Sequence, residues 1–331
     1  MQRDVLLAPM TTIGIGGPAK YFVRATTVDE IRDAIAFAND RNEPLFFLAG
    51  GSNLLISDKG FDGVVVKIEL RGIVAESDRE VKAAAGEVWD EFVAYAVDRE
   101  LAGIECLSGI PGSVGATPIQ NVGAYGQDVS ETIIRVEALD RTSGKVVWLT
   151  NAECQFGYRS SLFKNVERDR YVVLSVTFRL TPNGEPSVRY PELQKYLNGA
   201  TDLRTVRDGV IAIRKRKGMV IDANDPDTRS DGSFFMNPII DASELPDPTM
   251  PHYPAGDGQV KLSAAWLIEH AGFSKGFALG NAGLSSKHTL AVINRGGASA
   301  ADVLALVRLI QERVREKFGV ELHPEPNFVG F

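Results

Sequence analysis

The segment from Gly109 to Gly126, with the sequence GIPGSVGATPIQNVGAYG, constrains the fold more than any other part of the chain. Five glycines and two prolines occur within these eighteen residues, and none of the eighteen carries a charge. Glycine allows positive φ angles and close approach of the backbone, whereas proline fixes φ and removes a hydrogen-bond donor. We therefore expect a rigid loop, here named the central loop, whose main chain surrounds a large, flat and partly apolar ligand. A buried connection between packed elements is the alternative.

Length, charge and cysteine content limit the classes of protein to which the chain can belong. At 331 residues it exceeds the size at which one hydrophobic core stops growing, so two or three domains are expected. The net charge of −7 argues against a nucleic-acid partner, and the basic run from Arg214 to Lys217 is expected to face a small anion. Cys106 and Cys154 lack CxxC spacing, which is typical of a reducing cytosol. Without a secretory signal pattern or an apolar run near the ~20 residues of a membrane helix, the sequence predicts a soluble, cytoplasmic protein with no membrane partner.

Apolar periodicity predicts three successive units of helices and strands. The first has a helix over 28–42 and strands over 44–48 and 64–68. The second has a strand over 81–86, a helix over 89–99, β-like segments over 133–139, 146–149 and 171–180, and a helical stretch over 191–218. The third has helices over 263–271 and around 303–310. This order places the glycine-rich loops at the ends of strands.

The run Gly50-Gly51-Ser52-Asn53 follows the first predicted strand, and with Leu54 it is named the Gly-Gly turn here. Its amides and hydroxyl are suited to bind a phosphate or a pyrophosphate. The run matches neither the GxGxxG fingerprint nor a Walker loop, and a plain turn is the alternative. Because a second glycine-rich apolar loop follows in the next unit, the two together favour a dinucleotide ligand.

Three polar residues in distant segments are candidates for site chemistry. Arg159, which follows Tyr158, suits a desolvated site that holds a carboxylate or a developing oxyanion, with a surface salt bridge as the alternative. Ser233 follows Gly232 but lacks the second glycine of a nucleophile elbow, so a satisfied hydroxyl in a core strand is the alternative. Glu325 stands between two prolines that stiffen its backbone, although acids near chain ends are mostly solvated.

All four histidines lie beyond residue 250, at His252, His270, His288 and His323. This distribution excludes a histidine-linked flavin or a histidine-rich metal site in the first half, and no metal ligand set is predicted. His288 follows Ser285-Ser286-Lys287 and is either a polar site residue or a surface histidine.

Seven motifs together resemble the UDP-N-acetylenolpyruvoylglucosamine reductase (MurB) family, in the subtype whose tyrosine loop closes over the substrate. These are FAD enzymes of bacterial peptidoglycan precursor synthesis. Each motif is short, but the seven occur in the family's order along nearly the whole chain. They are Thr12–Gly17, Gly50–Leu55, Ile110–Gly115, Pro118–Gly126, Tyr158–Lys164, Gly232–Pro238 and Pro324–Pro326.

The resemblance implies an α+β protein with an FAD-binding fold of the vanillyl-alcohol-oxidase (PCMH-like) type, built from two subdomains, and a C-terminal α+β substrate domain. We expect FAD-binding subdomain 1 over residues 1–70 and subdomain 2, with the tyrosine-loop insertion, over 71–218. We also expect a substrate-binding domain over 219–319 and a tail over 320–331 that returns to the active site. Non-covalent FAD and NADPH are the implied cofactors, and a monomer is expected.

The resemblance also carries over individual residues. Arg159, Ser233 and Glu325 correspond to the catalytic trio. The implied FAD-binding residues are Gly50, Gly51, Ser52, Asn53, Leu54, Ile110, Pro111, Gly112, Ser113, Gly115, Ala116, Ile119, Gln120, Asn121, Gly123, Ala124 and Tyr125. The implied substrate-binding residues are Tyr158, Tyr190, Arg214, Lys217, Asn237 and His288.

The implied reaction reduces the enolpyruvyl ether of UDP-N-acetylglucosamine to UDP-N-acetylmuramate, a step in cell-wall biogenesis, cell shape and cell division. Hydride passes from flavin N5 to C3, Ser233 protonates C2, and Arg159 and Glu325 stabilise the charge that develops on the substrate. Two alternatives stay open. One is an FAD-dependent alcohol or sugar oxidase of the same fold, and the other is a non-catalytic flavoprotein that binds a UDP-sugar.

Overall fold

In the computed structural model, which describes all 331 residues, the chain is divided between two units. The first unit comprises Met1–Val5, Lys20–Gly50 and Asp62–Lys215. The second comprises Leu6–Ala19, Gly51–Phe61 and Arg216–Phe331. Each unit is thus assembled from three separate stretches of chain. No helix is both long enough and apolar enough to cross a membrane.

The chain forms twenty-two strands, six α-helices and six short 3-10 helices. The strands, β1–β22 in order, are Gln2–Leu6, Pro18–Ala25, Leu45–Leu48, Leu54–Ile56, Phe61–Ile68, Ile73–Ala75, Glu80–Ala84, Leu101–Ala102, Gly123–Ala124, Gln127–Asp128, Ile133–Asp140, Val146–Thr150, Tyr171–Arg179, Thr181–Pro182, Ser230–Ser233, Ile239–Asp241, His252–Gly256, Gln259–Leu262, Ala278–Leu279, Ala282–Leu284, Ala291–Asn294 and Asn327–Val329. The α-helices, α1–α6, are Val28–Asp40, Trp89–Val97, Pro191–Leu197, Leu203–Arg216, Ala264–His270 and Ala300–Phe318. The 3-10 helices are Ala8–Met10, Glu105–Leu107, Val114–Ala116, Val129–Glu131, Pro226–Thr228 and Ala242–Glu244.

A four-stranded sheet with the order β1-β2-β5-β3 and the helix α1 form the start of the first unit. Thr27 caps α1, and its hydroxyl and the Glu30 carboxylate each accept a hydrogen bond from the other residue's backbone N–H. The helix buries Ile31, Ala34 and Ala38, which recur at helical spacing. The helix expected over 28–42 is thereby confirmed, with its end at Asp40.

A five-stranded antiparallel sheet with the order β12-β11-β13-β7-β6 is the second large sheet of the first unit. The aromatic rings of Trp89 and Phe92 on α2 pack on Phe178 of β13, with centroid distances of 5.8 and 4.9 Å. All three side chains are almost completely buried, so α2 is held by apolar contact along the face that its sequence pattern predicts.

The helical stretch expected over 191–218 is wrong as one element, because the structure has two helices there, α3 and α4. Asn198 ends α3 in the left-handed conformation, with φ of +47°, and Gly199 follows with φ of +90°. Two successive residues with positive φ cannot continue a right-handed helix. The chain therefore turns at this point before α4 begins at Leu203.

The second unit combines a four-stranded sheet, β15-β21-β20-β19, with a three-stranded sheet, β16-β18-β17. The long helix α6 begins at a capping box formed by Ser299 and Asp302 and ends at Gly319, whose φ is +69°. Its residues Val303, Leu306 and Ile310 lie in an apolar core that also includes residues of α5 and β20. The tail strand β22 pairs in parallel with β4, which brings the end of the chain beside the Gly-Gly turn.

Candidate active site

The central loop lies in the first unit, against the start of α2 and against Gly50. Trp89 N–H donates to the Gly112 carbonyl at 3.1 Å, and Val114 N–H donates to the Glu87 carbonyl at 2.9 Å. A Cβ atom built on Gly50 would lie 2.4 Å from the Cα of Gly112. Backbone meets backbone here, so only glycine fits at position 50.

Ser113 gives a test of whether the central loop suits the predicted cofactor. The residue is 6% exposed, and its Oγ has no hydrogen-bond partner in the protein. Buried hydroxyls are normally hydrogen-bonded, so a bound group is the expected partner. FAD offers pyrophosphate, ribityl and ring oxygens, and the small glycines of the loop allow such a group to reach the main chain. The residues present therefore fit FAD.

Arg159 lies in a tight turn whose backbone geometry is unusual for an arginine. Gly157 and Ser160 exchange backbone hydrogen bonds of 3.0 and 3.2 Å, and Arg159 between them has φ of +52°. A left-handed conformation at a residue with a Cβ costs on the order of 1–3 kcal/mol and tends to occur at functional sites. The turn therefore marks Arg159 as a candidate site residue by geometry as well as by sequence.

The guanidinium of Arg159 is anchored on the central loop. Its Nη2 donates to the Gly123 carbonyl at 2.6 Å, and its Nη1 lies 3.4 Å from the Asn121 carbonyl. The Asn121 side chain donates in turn to the Gly157 carbonyl at 3.0 Å. The half-exposed Tyr158 ring lies 5.4 Å from the same guanidinium. Within the first unit, the predicted arginine and the predicted cofactor loop are thus brought together.

The beginning of the central loop is fixed by an ion pair between two helices. Arg207 on α4 donates to both carboxylate oxygens of Asp90 on α2, at 2.6 and 2.9 Å. Asp90 also accepts from Gly109 N–H at 2.6 Å. Partial burial raises the pKa of Asp90, but the hydrogen bonds from Arg207 and Gly109 outweigh it, so the pKa lies below its ordinary value. Asp90 is therefore a carboxylate at neutral pH and holds the loop.

Tyr125 at the other end of the central loop adjoins two predicted substrate residues. Its ring packs edge-on against the ring of Tyr190, with centroids 5.4 Å apart. Arg214 on α4 is buried, and this burial lowers the pKa of its guanidinium, while interaction with Tyr125 and Asp90 opposes the shift. Tyr190 is 41% exposed, so its ring is accessible at the surface of the unit. The structure thus packs the two tyrosine rings together, with a buried cation in electrostatic interaction with one of them.

The Gly-Gly turn spans the boundary between the two units, since Gly50 belongs to the first and Gly51 to the second. Gly51 has φ of +69°, and its carbonyl accepts from Thr12 N–H at 2.9 Å. The Asn53 side chain donates to the Glu325 carbonyl at 3.3 Å, and Asn327 N–H donates to the Asn53 carbonyl at 3.0 Å. Within the second unit, the turn is therefore joined to the chain tail.

Ser233 and Glu325 lie on neighbouring backbone segments in the second unit. Ser233 ends β15, and the two phenylalanines that follow are completely buried or nearly so. Phe235 pairs with Pro324 in an antiparallel bridge, and Glu325 N–H donates to the Phe234 carbonyl at 2.8 Å. The structure thus brings two of the three predicted catalytic residues together, 92 residues apart in sequence. The third, Arg159, belongs to the first unit.

The remaining predicted substrate residues lie in the second unit, and two of them make defined local contacts. Asn237 Oδ1 accepts from Ala264 N–H, at the start of α5, at 3.0 Å. His288 N–H donates to Ser285 Oγ at 3.3 Å. Lys217 is half-buried directly after α4. Their assignment to the substrate stays a prediction.

Sequence reasoning missed several buried acids, of which Glu105 is the most deeply enclosed. Its carboxylate accepts from Gly103 N–H, from the Gln127 side chain and from Ser187 N–H, at 2.7, 2.7 and 3.0 Å. Ser187 belongs to the segment that leads to Tyr190. Asp231, which is also buried, and Asp90, which is partly buried, were missed for the same reason, because a lone acid in a sequence carries no signal that separates an enclosed carboxyl from a surface one.

Two protein-family models match this chain. One, described as an FAD binding domain, covers residues 19–150, and the other, described as the C-terminal domain of UDP-N-acetylenolpyruvoylglucosamine reductase, covers residues 225–329. Among solved structures, the MurB of Thermus caldophilus matches with a TM-score of 0.69 and 26% identity, over 99% of this chain and 98% of that one. These matches confirm the predicted fold class, an α+β protein with an FAD-binding fold and a C-terminal α+β domain.

Relatives named UDP-N-acetylenolpyruvoylglucosamine reductase are similar to this chain along almost its full length. The protein of Thermobifida fusca is 48% identical, over 99% of this chain and 98% of the relative. That of Streptomyces coelicolor is 48% identical, over 99% and 90%, and that of Mycobacterium leprae is 46% identical, over 98% and 94%. Because identity of this extent covers nearly the whole chain, the chain belongs to the UDP-N-acetylenolpyruvoylglucosamine reductase family.

Proposed function

We propose that this chain reduces the enolpyruvyl ether of UDP-N-acetylglucosamine to UDP-N-acetylmuramate, and that Arg159, Ser233 and Glu325 act on the substrate. The protein is an FAD- and NADPH-dependent oxidoreductase of peptidoglycan synthesis. The observation that carries the residue assignment is the 2.8 Å hydrogen bond from Glu325 N–H to the Phe234 carbonyl. This hydrogen bond joins the tail, which carries Glu325, to the segment that directly follows Ser233.

Ser233 is the proposed proton donor. When bound, FAD would supply the hydride that reaches C3 of the enolpyruvyl group, with NADPH as the source of that hydride. The electron pair of the substrate double bond then resides at C2, and the Ser233 hydroxyl gives its proton to that carbon. A serine hydroxyl is a weak acid in water, but proton transfer to a strongly basic carbanion is downhill.

Arg159 and Glu325 are the proposed stabilisers of the charge that spreads onto the substrate carboxylate. Arg159 is held by the Gly123 carbonyl before any substrate arrives, which limits the reorganisation its guanidinium needs. Glu325, in its protonated form, adds a donor to the same charge. A preorganised donor of this kind contributes about 3–4 kcal/mol to transition-state stabilisation.

Replacement of Ser233 tests this function directly. In Ser233→Ala, reduction of the flavin by NADPH continues, because that half-reaction needs no proton from the serine. The rate of reduction of the enolpyruvyl substrate falls by several orders of magnitude, as expected when an enzyme loses its general acid. Stopped-flow absorbance separates the two half-reactions. Ser243→Ala, at an exposed hydroxyl of the same unit, is the control and keeps both rates. Unchanged substrate reduction in Ser233→Ala would remove the serine from the mechanism.

Several finer features belong to the same proposal. The residues that bind the UDP-sugar are Tyr158, Tyr190, Arg214, Lys217, Asn237 and His288. For Tyr190 the support is the packing of its ring on Tyr125, and for Arg214 it is the electrostatic interaction of its guanidinium with Tyr125. The protein acts as a cytoplasmic monomer on a small-molecule substrate, and light scattering at working concentration tests the monomer. The domain limits at residues 70, 218 and 319 stay predictions, which limited proteolysis tests.

A further inference from the structure

The residues from Ser187 to Tyr190, here named the tyrosine segment, end an irregular stretch between β14 and α3. No strand or helix includes the stretch from 183 to 190, so it lacks the repeated backbone hydrogen bonds of those elements. Tyr190 is nevertheless seated on Tyr125 of the central loop, with ring centroids 5.4 Å apart. Contacts other than regular secondary structure must therefore hold this residue in place.

Glu105 holds the beginning of the tyrosine segment. Its side chain is completely buried, and its Oε1 accepts hydrogen bonds from Ser187 N–H at 3.0 Å and from the Gln127 side chain at 2.7 Å. Its Oε2 accepts from Gly103 N–H at 2.7 Å. The Gln127 side-chain oxygen accepts in turn from Cys106 N–H at 2.9 Å. One carboxyl group thus joins the residues before the central loop, those directly after it, and the tyrosine segment.

Burial makes these hydrogen bonds necessary. A carboxyl group that is removed from water loses the hydrogen bonds of its hydration shell, so its oxygens need donors from the protein. At Glu105 one of these donors comes from an irregular segment 82 residues away in sequence. Displacement of Ser187 would take away one of the two donors to Oε1. The buried acid therefore disfavours any conformation in which the tyrosine segment leaves the central loop.

Arg189 provides a second contact near the other end of the tyrosine segment. Its Nη1 donates to the Gly126 carbonyl at 3.3 Å and to the Glu131 carboxylate at 3.0 Å. The Arg189 and Glu131 side chains are 58% and 39% exposed, and ion pairs as exposed as this contribute little. Hydrogen bonds to a buried carboxyl group are stronger, so Glu105 is the main tether.

We propose that Glu105 is a positioning residue for the substrate, which keeps Tyr190 beside Tyr125 by holding the start of the tyrosine segment. The inference rests on the proposed assignment of Tyr190 to the UDP-sugar. Glu105 has no exposed surface and so makes no contact of its own with the substrate. It acts on the affinity for the nucleotide-sugar through Tyr190, and neither hydride transfer nor proton transfer depends on it.

The test measures the two half-reactions of the full-length, FAD-loaded protein by stopped-flow absorbance. In Glu105→Ala, the half-saturating concentration of the enolpyruvyl substrate for flavin reoxidation rises about tenfold, because Tyr190 is less often in place. The maximal rate of reoxidation stays within about twofold of the wild type, and so does the rate of flavin reduction by NADPH. A loss of overall structure would lower these rates, so the split between affinity and rate separates positioning from folding.

Two further variants locate the effect. Glu105→Gln keeps an acceptor for Ser187 N–H, since its amide oxygen can take the place of Oε1, and its half-saturating concentration stays within about threefold of the wild type. Ser187→Pro removes this N–H donor and reproduces the rise expected for Glu105→Ala. It leaves the buried acid bonded to Gln127 and Gly103, so the proposal stays testable even if Glu105→Ala does not fold.

Asp140→Ala is the matched control. Asp140 is 5% exposed and accepts hydrogen bonds from the Arg170 side chain at 3.2 Å and from Thr142 N–H at 2.9 Å. Like Glu105, it is a buried acid of the first unit with backbone and side-chain donors, but these partners lie outside the tyrosine segment. Its replacement lowers Tm and leaves the half-saturating substrate concentration unchanged.

A double-mutant cycle tests whether Glu105 acts through Tyr190. Tyr190→Ala raises the half-saturating concentration, and the addition of Glu105→Ala raises it no further, because the residue to be positioned is already gone. Independent roles of the two residues would instead multiply the two effects.

Three results would overturn the proposal: an unchanged half-saturating concentration in Glu105→Ala or Ser187→Pro, an equal rise in Asp140→Ala, or multiplied effects in the double variant. The failure of the proposed function gives a different result. A Tyr190→Ala variant with wild-type affinity contradicts the assignment of Tyr190 to the substrate, whereas a wild type that is reduced by NADPH but never reoxidised by the substrate contradicts the reaction itself.

Discussion

Gly50 and Arg159 show how single positions constrain the site through their backbones. Gly50 has no room for a side chain, because Gly112 approaches it from the opposite loop. Arg159 has a side chain in a conformation that usually excludes one, with φ of +52°. The first residue allows two loops to meet, and the second directs a cation onto the Gly123 carbonyl. The left-handed conformation of Arg159 costs free energy locally, and contacts with the central loop offset that cost.

Gly50→Ala is expected to weaken FAD binding by about tenfold or more, because the new Cβ would meet two backbone atoms of Gly112 at 2.4 and 2.7 Å and the loops must separate. Fluorescence titration with FAD measures the change. The control is Gly144→Ala, in the turn between β11 and β12, where a Cβ meets nothing within 4 Å. Because Gly144 has φ of +69°, this substitution is expected to lower stability but not the affinity for FAD. Equal FAD affinity in the Gly50 variant and the control would contradict the prediction.

The helix α4 is held by both apolar packing and a charged contact. Val206, Val210 and Ile213 face a small core with Leu193 and Leu197 of α3. On another part of its surface, Arg207 binds the Asp90 carboxylate, which also accepts from the central loop. The helix therefore both buries apolar surface and fixes the start of the loop that is proposed to hold the cofactor.

Arg207→Ala is expected to reduce the free energy of unfolding by about 1–2 kcal/mol at pH 7, because a partly buried charged hydrogen-bond pair is broken. The pKa of Asp90 is lowered in the folded state, so this contribution is present above the ordinary carboxyl pKa and is lost as the pH falls below it. The difference from the wild type therefore shrinks in acid, as chemical denaturation at pH 7 and at about pH 3 measures.

Arg204→Ala is the matched control on the same helix. Arg204 pairs with Asp98, and the two side chains are 72% and 56% exposed. Exposed ion pairs contribute about 0–1 kcal/mol, so this variant stays close to the wild type at both pH values. If Arg204→Ala were as unstable as Arg207→Ala, loss of the contact with Asp90 would not be the cause of the lower stability.

The molecule as a whole is built from two units with separate apolar cores. Each unit takes three stretches of chain, and the chain passes from one to the other at five places, one of them between Gly50 and Gly51. The Gly-Gly turn is a predicted part of an FAD site. Binding of FAD stabilises the folded chain because the unfolded chain has no such site.

At a concentration about 100 times its Kd, FAD is expected to stabilise the folded protein by about 2.7 kcal/mol. At the average unfolding entropy per residue, this raises Tm by about 4 °C for a chain of 331 residues. Differential scanning calorimetry of the apoprotein with and without FAD measures the shift. Riboflavin at the same concentration lacks the pyrophosphate and is expected to raise Tm less. Equal shifts for the two compounds would contradict a role for the pyrophosphate.

Local patterns predicted most of the individual elements. The helices at Val28 and Trp89 follow from apolar spacing, because the period of a helix is set within a few neighbouring residues. The break between α3 and α4 also has a local signal, because Asn-Gly at 198–199 is typical of a turn. The apolar spacing on both sides of this dipeptide led to the prediction of one continuous helix. The seven ordered motifs gave the family and fold class in the same way, from residues read along the chain.

Contacts between residues that are distant in sequence could be seen only in the folded chain. No pattern indicates that Arg159 lies against the Gly123 carbonyl, that Arg207 holds Asp90, or that Thr12 meets Asp231 across 219 positions. Such pairs form only when packing of whole elements brings them together, and burial then sets their charge state. Residue identity was enough to predict the family and the fold class, whereas the partners and protonation of the predicted site residues depend on neighbours that only folding supplies.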